Sequence, residues 1–325
     1  MIHWGIIGPG HIARVFCNGL RFTHKGQATA VASRDLQKAR QFAADFSVAT
    51  VHDSYQDLLA DPSVDAVYIA TIHPAHLQWV ELAATAGKHI LVEKPIGINA
   101  GEVAAMIKAA QCNDVFLMEA FMYRHHPQWL KAKQLVDEGS IGDLRTINSF
   151  FSYYNADPGN IRHMAEIGGG GLMDIGCYCI SLTRFIFNSE PQRVSGKIEY
   201  DPEFKTNRLC SGLLDFGDQS STFSCATQLA PYQRVNIFGT KGRIEIEIPF
   251  NAPPDQACRI WLQQDDKLEE ITFELCDQYT IQGDLFSEAI LNKTEVTTPL
   301  VDSLKNMRVL DAVINSPESD RWISL

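Results

Sequence analysis

The fold is decided by the stretch Gly8-Pro9-Gly10-His11-Ile12-Ala13, which stands between the apolar run HWGII and the first helical pattern. Glycines here let the backbone turn tightly and approach a pyrophosphate, which the helix N-terminus then stabilises, while Ala13 permits close packing of the helix. In this setting the GxGxxA pattern predicts a dinucleotide-binding turn. The residues expected to contact the cofactor there are Gly8, Gly10, His11 and Ile12.

Working outward, short apolar runs alternate with helical stretches up to residue 121. The runs are HWGII, ATAVAS, DAVYIA, HILV and DVFLM. They are too continuously apolar for half-exposed strands, which indicates strands buried on both faces. Helices are expected at residues 36–45, 74–86 and 99–111. Residues 1–121 are therefore predicted to form an α/β Rossmann domain with a doubly wound parallel sheet.

Beyond residue 121 the pattern changes to period-two alternation, which is typical of half-buried strands. Such strands are expected at residues 145–154, 209–216, 221–228, 234–238 and 243–248. Helical patterns at 172–187 and 285–291 are expected to cover the sheet, with a third helix at 304–313. Residues 122–325 are therefore predicted to form an α+β domain with an open-faced, mostly antiparallel sheet that serves substrate binding and oligomerisation.

Composition excludes several classes of function. The 325 residues suit about two globular domains. The net charge of −11 repels nucleic acid and anionic membranes, so neither is an expected partner. No apolar run reaches the roughly 20 residues that span a bilayer, and residues 1–10 lack a signal-peptide pattern, so a cytoplasmic location is expected. The eight cysteines are scattered, and neither a metal site nor a disulfide is expected.

The end of the second expected strand indicates which cofactor binds. NAD proteins usually place an acidic residue there, about 20 residues after the glycine motif, to bind the ribose. This chain has Ser33 and Arg34 instead, and both side chains can bind a 2′-phosphate, which favours NADP over NAD. The alternative is that Arg34 is a surface cation and Asp35 binds a plain ribose. Asp35 is, however, better placed to cap the next helix.

A second motif, Glu93-Lys94-Pro95, follows the fifth expected strand, at the carboxyl edge where open parallel sheets bind ligands. The proline restricts Lys94 to an extended backbone, which directs its ammonium toward the crevice. A lysine before a proline is equally typical of a solvated loop. The position alone therefore leaves a catalytic and a surface role open.

A third motif opens the expected helix at 172–187, after the glycines at 168–171. Asp174 and Tyr178 are four residues apart, so they share one helix face and can serve one ligand together. The glycines allow close approach of a flat ring to the helix start. The alternative is a tyrosine packed at the rim of the core beside a carboxylate that stabilises the helix dipole.

Four motifs in this order resemble the Gfo/Idh/MocA oxidoreductase family: GPGHIA, EKP, MEAFMYRHHP at 118–127 and GGGGLMDIGCYCI at 168–180. The resemblance covers nearly the whole chain. Its nearest branch is that of the NADP-dependent dimeric dihydrodiol dehydrogenases and D-xylose 1-dehydrogenases, and glucose-fructose oxidoreductase is also similar. It implies a Rossmann domain followed by an open-faced sheet domain, with the nicotinamide in the cleft between them.

The resemblance also implies roles for individual residues. Lys94 matches the family's EKP lysine, and Tyr178 stands where many members have histidine, as in the branch that uses tyrosine. His76 matches a histidine near the cofactor, to which we add Thr71, His73 and Glu93. Arg124 matches an arginine near the domain junction, where it either contacts substrate or links the domains.

The resemblance implies hydride transfer between NADP and a secondary alcohol or sugar hemiacetal, of the aldose or trans-dihydrodiol type. A tyrosine has an ordinary pKa of about 10, and a nearby ammonium lowers it. We therefore expect Tyr178 to be the acid/base, Lys94 to tune it and Asp174 to orient a second hydroxyl. Residues 155–167 and Tyr232, where substrate selection is expected, carry no recognisable motif.

Two other functions stay open at this point: a redox-inactive NADP- or sugar-binding regulator, and a hydrolase that uses the nicotinamide transiently. Lys94 and Tyr178 together disfavour the regulator, because a sensor needs no proton transfer. An apolar open sheet face would invite a second subunit, so a homodimer or higher homo-oligomer is expected.

Overall fold

A computed structural model describes residues 1–316 and 322–325. The chain forms two compact units. The first contains Met1–Met122 and Asp277–Leu304, and the second contains Tyr123–Cys276 and Lys305–Leu325. The first unit thus includes a later return of the chain that a division at residue 121 leaves out.

A six-stranded parallel sheet forms the centre of the first unit, in the order β3-β2-β1-β4-β5-β6. Its strands are β1 (Ile2–Ile7), β2 (Gly26–Ala32), β3 (Thr50–His52), β4 (Ala66–Ile69), β5 (His89–Val92) and β6 (Leu117–Glu119). Both directions of winding start from β1. The predicted doubly wound α/β fold is confirmed.

Helices join these strands: α1 (His11–Leu20), α2 (Leu36–Phe46), α3 (Tyr55–Ala60), α4 (His76–Thr85) and α5 (Ala100–Cys112). Asp35, Ser54 and Asn99 cap α2, α3 and α5 with side-chain oxygens that accept backbone N–H groups. These caps place each helix start at the carboxyl edge of the sheet. The short elements β3 and α3 have no counterpart among the predicted strands and helices.

A nine-stranded sheet forms the second unit, in the order β14-β13-β12-β11-β7-β10-β9-β8-β15. Its strands are β7 (Leu144–Tyr154), β8 (Arg193–Tyr200), β9 (Asn207–Asp215), β10 (Ser220–Ala226), β11 (Gln228–Gly239), β12 (Gly242–Ile246), β13 (Arg259–Gln264), β14 (Lys267–Thr272) and β15 (Ile323–Ser324). Only the β7–β10 pair of this order is parallel, which confirms the mostly antiparallel sheet.

The two faces of β12 differ as the alternation predicts. Ile244 and Ile246 are fully buried. On the opposite face Arg243 pairs with Glu245 at 2.8 Å, and Arg234 lies 3.4 Å from the same carboxylate. This face is mixed in polarity, so the expectation of an apolar open face is wrong.

Two helices lie wholly within the second unit, α6 (Pro127–Asp137) and α7 (Cys177–Phe187). A helix is predicted from residue 172, but residues Leu172–Gly176 form a turn of π-helix that leads into α7. Single π-helical turns inside helices occur frequently at functional sites. This turn carries Asp174, and α7 carries Tyr178.

The last long helices are α8 (Gln278–Asn292) and α9 (Leu300–Asn315). The expectation that residues 285–291 cover the sheet is wrong, because α8 belongs to the first unit. There the ring of Phe286 is fully buried, and its centroid lies 5.6 Å from that of Trp4 in β1. The helix therefore packs where its apolar ring is buried, although its neighbours in sequence belong to the second unit. No helix in the described ranges has the length and apolarity to cross a membrane.

Candidate active site

The glycine turn after β1 has two glycines with different physical requirements. Gly8 has φ +87°, and a Cβ there would lie 3.0 Å from the carbonyl oxygen of Ala70. Gly10 precedes α1 without a side-chain cap, and a Cβ there would meet no atom within 4 Å. The first N–H groups of a helix have no partner within the helix. In α1 these include the N–H groups of His11 and Ile12. The turn therefore fits the pyrophosphate of a dinucleotide.

The contacts at the end of β2 distinguish between two roles for Asp35, as a ribose ligand or as the cap of α2. Its carboxylate accepts hydrogen bonds from the N–H groups of Gln37 at 3.0 Å and Lys38 at 3.3 Å, as the helix cap we predicted. Ser33 accepts the N–H of Asp35 at 3.1 Å. The acidic group is thus occupied at the helix start. Ser33 and Arg34 stand at this strand end and suit a 2′-phosphate. Lys38, whose ammonium lies 3.9 Å from the Asp35 carboxylate, is a nearby cation that no motif indicates.

The residues after β4 form a short helical turn over His73–Ala75. The buried Thr71 hydroxyl has no hydrogen-bond partner among the described residues, so it suits a polar ligand. His76 is fully buried, with Nε2 3.1 Å from the Thr71 carbonyl and Nδ1 3.1 Å from the Ile96 carbonyl. Burial lowers the pKa of His76. His76 thus links two loops, and the His73 ring lies beside it at 5.7 Å.

Buried carboxylates position the loop that carries Lys94. Glu93 follows β5, and its carboxylate accepts a hydrogen bond from the Tyr68 hydroxyl. The same carboxylate lies 3.3 Å from the N–H of Lys94. Glu119, at the end of β6, accepts the N–H of Ile96 at 2.9 Å. The backbone N–H groups of Lys94 and Ile96 are therefore both held by buried glutamate side chains.

In the second unit, Asp174 lies at the centre of a polar cluster. It is 5% exposed, and its Oδ2 accepts hydrogen bonds from Tyr153 Oη at 2.6 Å and Arg162 Nε at 2.7 Å. Burial has the largest effect on the pKa of Tyr153 and raises it, and the Asp174 carboxylate raises it further. The Tyr153 hydroxyl therefore stays a donor. Two donors on one oxygen favour the ionised carboxylate.

Tyr178 is 4% exposed and lies among aromatic rings of the same unit. The ring centroids of Tyr123, Phe151 and Phe250 are 5.6, 5.9 and 5.3 Å from that of Tyr178. The phenol also interacts electrostatically with Arg162. The aromatic packing fixes the ring, and the charge of Arg162 acts on its phenol.

The remaining predicted substrate residue is Arg124, whose guanidinium lies 4.8 Å from the ring centroid of Phe185. This cation–π contact fixes the side chain within the second unit.

The glycines before Asp174 serve the loop itself. A Cβ at Gly169 would lie within 2.8 Å of the carbonyl oxygens of Ile161, Arg162 and Met164. Gly170 has φ +129° and packs on Asn207, whose side chain accepts the N–H of Leu172 at 2.6 Å. The expected approach of a flat ring is therefore unnecessary to explain these two glycines.

No motif in the sequence indicates a site role for Tyr68, Tyr153 or Arg162. Tyr68 stands in an apolar run that predicts only a buried strand, and Tyr153 lies near the end of a period-two run. Arg162 lies in the loop without a recognisable motif. Their contacts join positions 12 to 25 residues apart in sequence, which no local spacing reveals. Among the described residues no group of three His, Cys, Asp or Glu side chains could hold a metal ion.

Comparison with known proteins places this chain among oxidoreductases. It is 34% identical over 304 residues to D-xylose 1-dehydrogenase (NADP(+)) 2 of Haloferax volcanii, covering 92% of each chain. It is 36% identical over 254 residues to trans-1,2-dihydrobenzene-1,2-diol dehydrogenase of Mus musculus, covering 76% of this chain and 74% of the relative.

The crystal structure of KijD10, a 3-ketoreductase from Actinomadura kijaniata in complex with NADP and TDP-benzene, has a TM-score of 0.92 to this chain. It is 27% identical and covers 97% of both chains. Residues 2–121 match the oxidoreductase family with the NAD-binding Rossmann fold, and residues 129–245 match the GFO/IDH/MocA C-terminal domain. The chain belongs to the GFO/IDH/MocA oxidoreductase family.

Proposed function

We propose that this chain binds NADP and oxidises a secondary alcohol or a sugar hemiacetal, of the aldose or trans-dihydrodiol type. Relatives at 34% and 36% identity are named for these two substrate types. The cofactor choice is supported by the end of β2, where Asp35 caps α2 and leaves Ser33 and Arg34 for a 2′-phosphate. A carboxylate aimed at the ribose would repel that phosphate.

The residues that would hold NADP follow the carboxyl edge of the parallel sheet. Gly8, Gly10, His11 and Ile12 suit the pyrophosphate because the first turn of α1 has no side-chain cap. For the nicotinamide half we propose the group Thr71, His73, Glu93 and Lys94, with His76 buried behind it. When bound, NADP supplies the acceptor for a hydride.

The observation that carries the proposed reaction is the environment of Tyr178. Three aromatic rings pack around the Tyr178 ring, and its phenol interacts electrostatically with Arg162. Asp174, four residues earlier in the chain, is held by two hydrogen-bond donors. We propose that Tyr178 accepts the proton of the substrate hydroxyl. Lys94 binds the substrate oxygen and lowers the pKa of the phenol, and Asp174 orients a second substrate hydroxyl. Cations beside a phenol favour its ionised form.

The test is NADP reduction followed by absorbance, with pooled aldopyranoses and pooled trans-dihydrodiols as substrates and NAD as the parallel cofactor. We expect turnover with NADP from one pool. Tyr178→Phe should bind NADPH normally and lose at least about 100-fold in kcat, the range for a general acid/base. Wild-type turnover in Tyr178→Phe would refute the assignment. NADPH binding without turnover on any substrate would favour a regulator.

We also propose that the second unit forms a homodimer through its open sheet face. Arginine and glutamate pairs on β11–β13 give this face a self-complementary charge pattern. Sedimentation at micromolar concentration should give a dimer of about twice the 36.2 kDa chain mass. A monomer at that concentration would contradict the proposal.

A further inference from the structure

The loop between β7 and α7 places one arginine beside Asp174. Asn160 caps the short helical turn Ile161–His163 and accepts the N–H of Arg162 at 3.1 Å. The loop begins with a hydrogen bond from Asn155 N–H to the Thr227 carbonyl at 2.8 Å. It ends at Gly169, which packs on the carbonyls of the same turn. The position of Arg162 is therefore fixed by backbone contacts at both ends of the loop.

The guanidinium of Arg162 uses only part of its donor capacity within the protein. Its Nε donates to Asp174 Oδ2 at 2.7 Å, and its Nη1 lies 3.4 Å from Asn160 Oδ1. No described residue accepts a hydrogen bond from Nη2. The Arg162 side chain is 39% exposed, whereas that of Asp174 is 8% exposed. A donor that a ligand can reach thus stands next to a buried acceptor.

The charges of the pair compensate each other. Burial is the largest single effect and opposes the charge on Arg162, but the Asp174 carboxylate and the phenols of Tyr153 and Tyr178 together outweigh it, so the pKa of Arg162 is raised. An arginine that is already paired does not demand an anionic ligand. An adjacent donor and acceptor suit a neutral hydroxyl, which both accepts and donates a hydrogen bond.

We propose that Arg162 and Asp174 together recognise the hydroxyl next to the reacting carbon, so that this site selects vicinal diols. Asp174 accepts a hydrogen bond from that hydroxyl, and Arg162 Nη2 donates one to its oxygen. The inference rests on the proposed function and makes it narrower. It names what an aldose and a trans-dihydrodiol have in common, since both carry a hydroxyl beside the carbon that is oxidised.

The experiment compares matched substrates that differ only in this hydroxyl: D-glucose with 2-deoxy-D-glucose, and trans-1,2-cyclohexanediol with cyclohexanol. Each is assayed with NADP on wild type, Arg162→Met, Arg162→Lys and the control Arg145→Met, which removes an exposed arginine of β7 paired with Asp143. NADPH binding and thermal unfolding of every variant verify folding and cofactor affinity.

In wild type and Arg145→Met we expect kcat/KM to favour the diol member by about 100-fold, the range for a lost charge-assisted hydrogen bond. In Arg162→Met the preference should fall to within about 3-fold of unity, mostly through KM, and Arg162→Lys should restore part of it. These variants should bind NADPH like wild type.

Three results would overturn the inference while the proposed function stands: a wild type that turns over both members equally, an Arg162→Met variant with unchanged preference, or an equal loss on both members, which would indicate a structural role alone. If wild type reduces NADP neither with these compounds nor with the pooled substrates, the proposed function itself fails, and this inference fails with it.

Discussion

The Tyr68 hydroxyl donates a hydrogen bond to the Glu93 carboxylate inside the first unit. Both side chains are buried, and the Tyr68 ring stacks on Phe16 with centroids 4.1 Å apart. Burial, which has the largest effect, and the Glu93 charge raise the pKa of Tyr68 well above its ordinary value. The phenol therefore remains a donor at physiological pH. A strand residue far from any ligand motif thereby orients the residue that precedes Lys94.

Tyr68→Phe should keep the ring packing and remove only this hydrogen bond. A buried hydrogen bond to a charged group contributes about 1.5–3 kcal/mol, so thermal stability should fall while the fold persists. We expect kcat to fall about 10-fold, because the Lys94 loop loses one of its anchors. Steady-state kinetics measures this, with Tyr154→Phe, an exposed tyrosine, as the control. Wild-type kcat in folded Tyr68→Phe would contradict the positioning role.

The glycine turn allows a matched pair of substitutions. Gly8→Ala places a side chain at φ +87° and 3.0 Å from a carbonyl oxygen, so the variant should lose about 1–3 kcal/mol of stability. Gly10→Ala meets no protein atom within 4 Å, so its stability should stay near that of wild type. Its affinity for NADPH should nevertheless fall about 10-fold or more, because the methyl group occupies space that the pyrophosphate requires. Thermal unfolding and NADPH fluorescence titration separate the two effects. Equal NADPH affinity in Gly10→Ala and wild type would argue against this turn as the pyrophosphate site.

Cofactor preference should change at the end of β2. Arg34→Ala removes a guanidinium that suits a 2′-phosphate, and a charge-assisted hydrogen bond contributes about 1.5–3 kcal/mol. We expect KM for NADP to rise about 10- to 100-fold, with little change in KM for NAD. Lys131→Ala, an exposed lysine of α6, serves as the control. If the ratio of the two KM values stays constant in Arg34→Ala, the NADP assignment at this residue is wrong.

Stability should depend on pH through His125 and His126. Burial, and for His125 also the Arg124 charge, lower the pKa of each imidazole to about 4. The ordinary value is about 6.5, so between these values the unfolded chain binds more protons than the folded one. Stability should therefore be complete above about pH 6.5 and fall as the pH drops toward 4, by about 1.4 kcal/mol per pH unit and per histidine.

Urea unfolding at a series of pH values measures this slope. His126→Asn is the informative variant, because His126 caps α6 by accepting the N–H of Gln128 at 3.2 Å, and asparagine also caps helices well. It should remove one titrating group, so the slope should be shallower by one proton. An unchanged slope would show that His126 does not contribute.

Much of the fold is predictable from sequence because its signals are local. The GxGxxA turn, continuous apolar strands and the capping residues Asp35 and Asn99 lie next to the elements that they define. The π-helical turn at Leu172–Gly176 has no comparable signal, because its residues also suit an α-helix. The position of α8 depends on Phe286 finding Trp4, a contact that only the folded chain creates.

The candidate site divides in the same way. Ser33, Arg34, Lys94, Asp174 and Tyr178 could be named from motifs, since each stands at a fixed offset from a recognisable turn or helix. The residues that hold them in place could not be named. Tyr68 and Arg162 act across 25 and 12 residues of sequence through strand register and loop conformation, which spacing alone does not encode.

The return of residues 277–304 to the first unit also determines when that unit can be completed during synthesis. The N-terminal segment leaves the ribosome first, but the surface of Trp4 that Phe286 covers stays exposed until translation has passed residue 286. Likewise β7 must wait for β10 and β11, which follow it by more than 60 residues. The nascent chain therefore carries uncovered apolar surface and unpaired strand edges through most of its elongation, the period in which chaperones protect such chains.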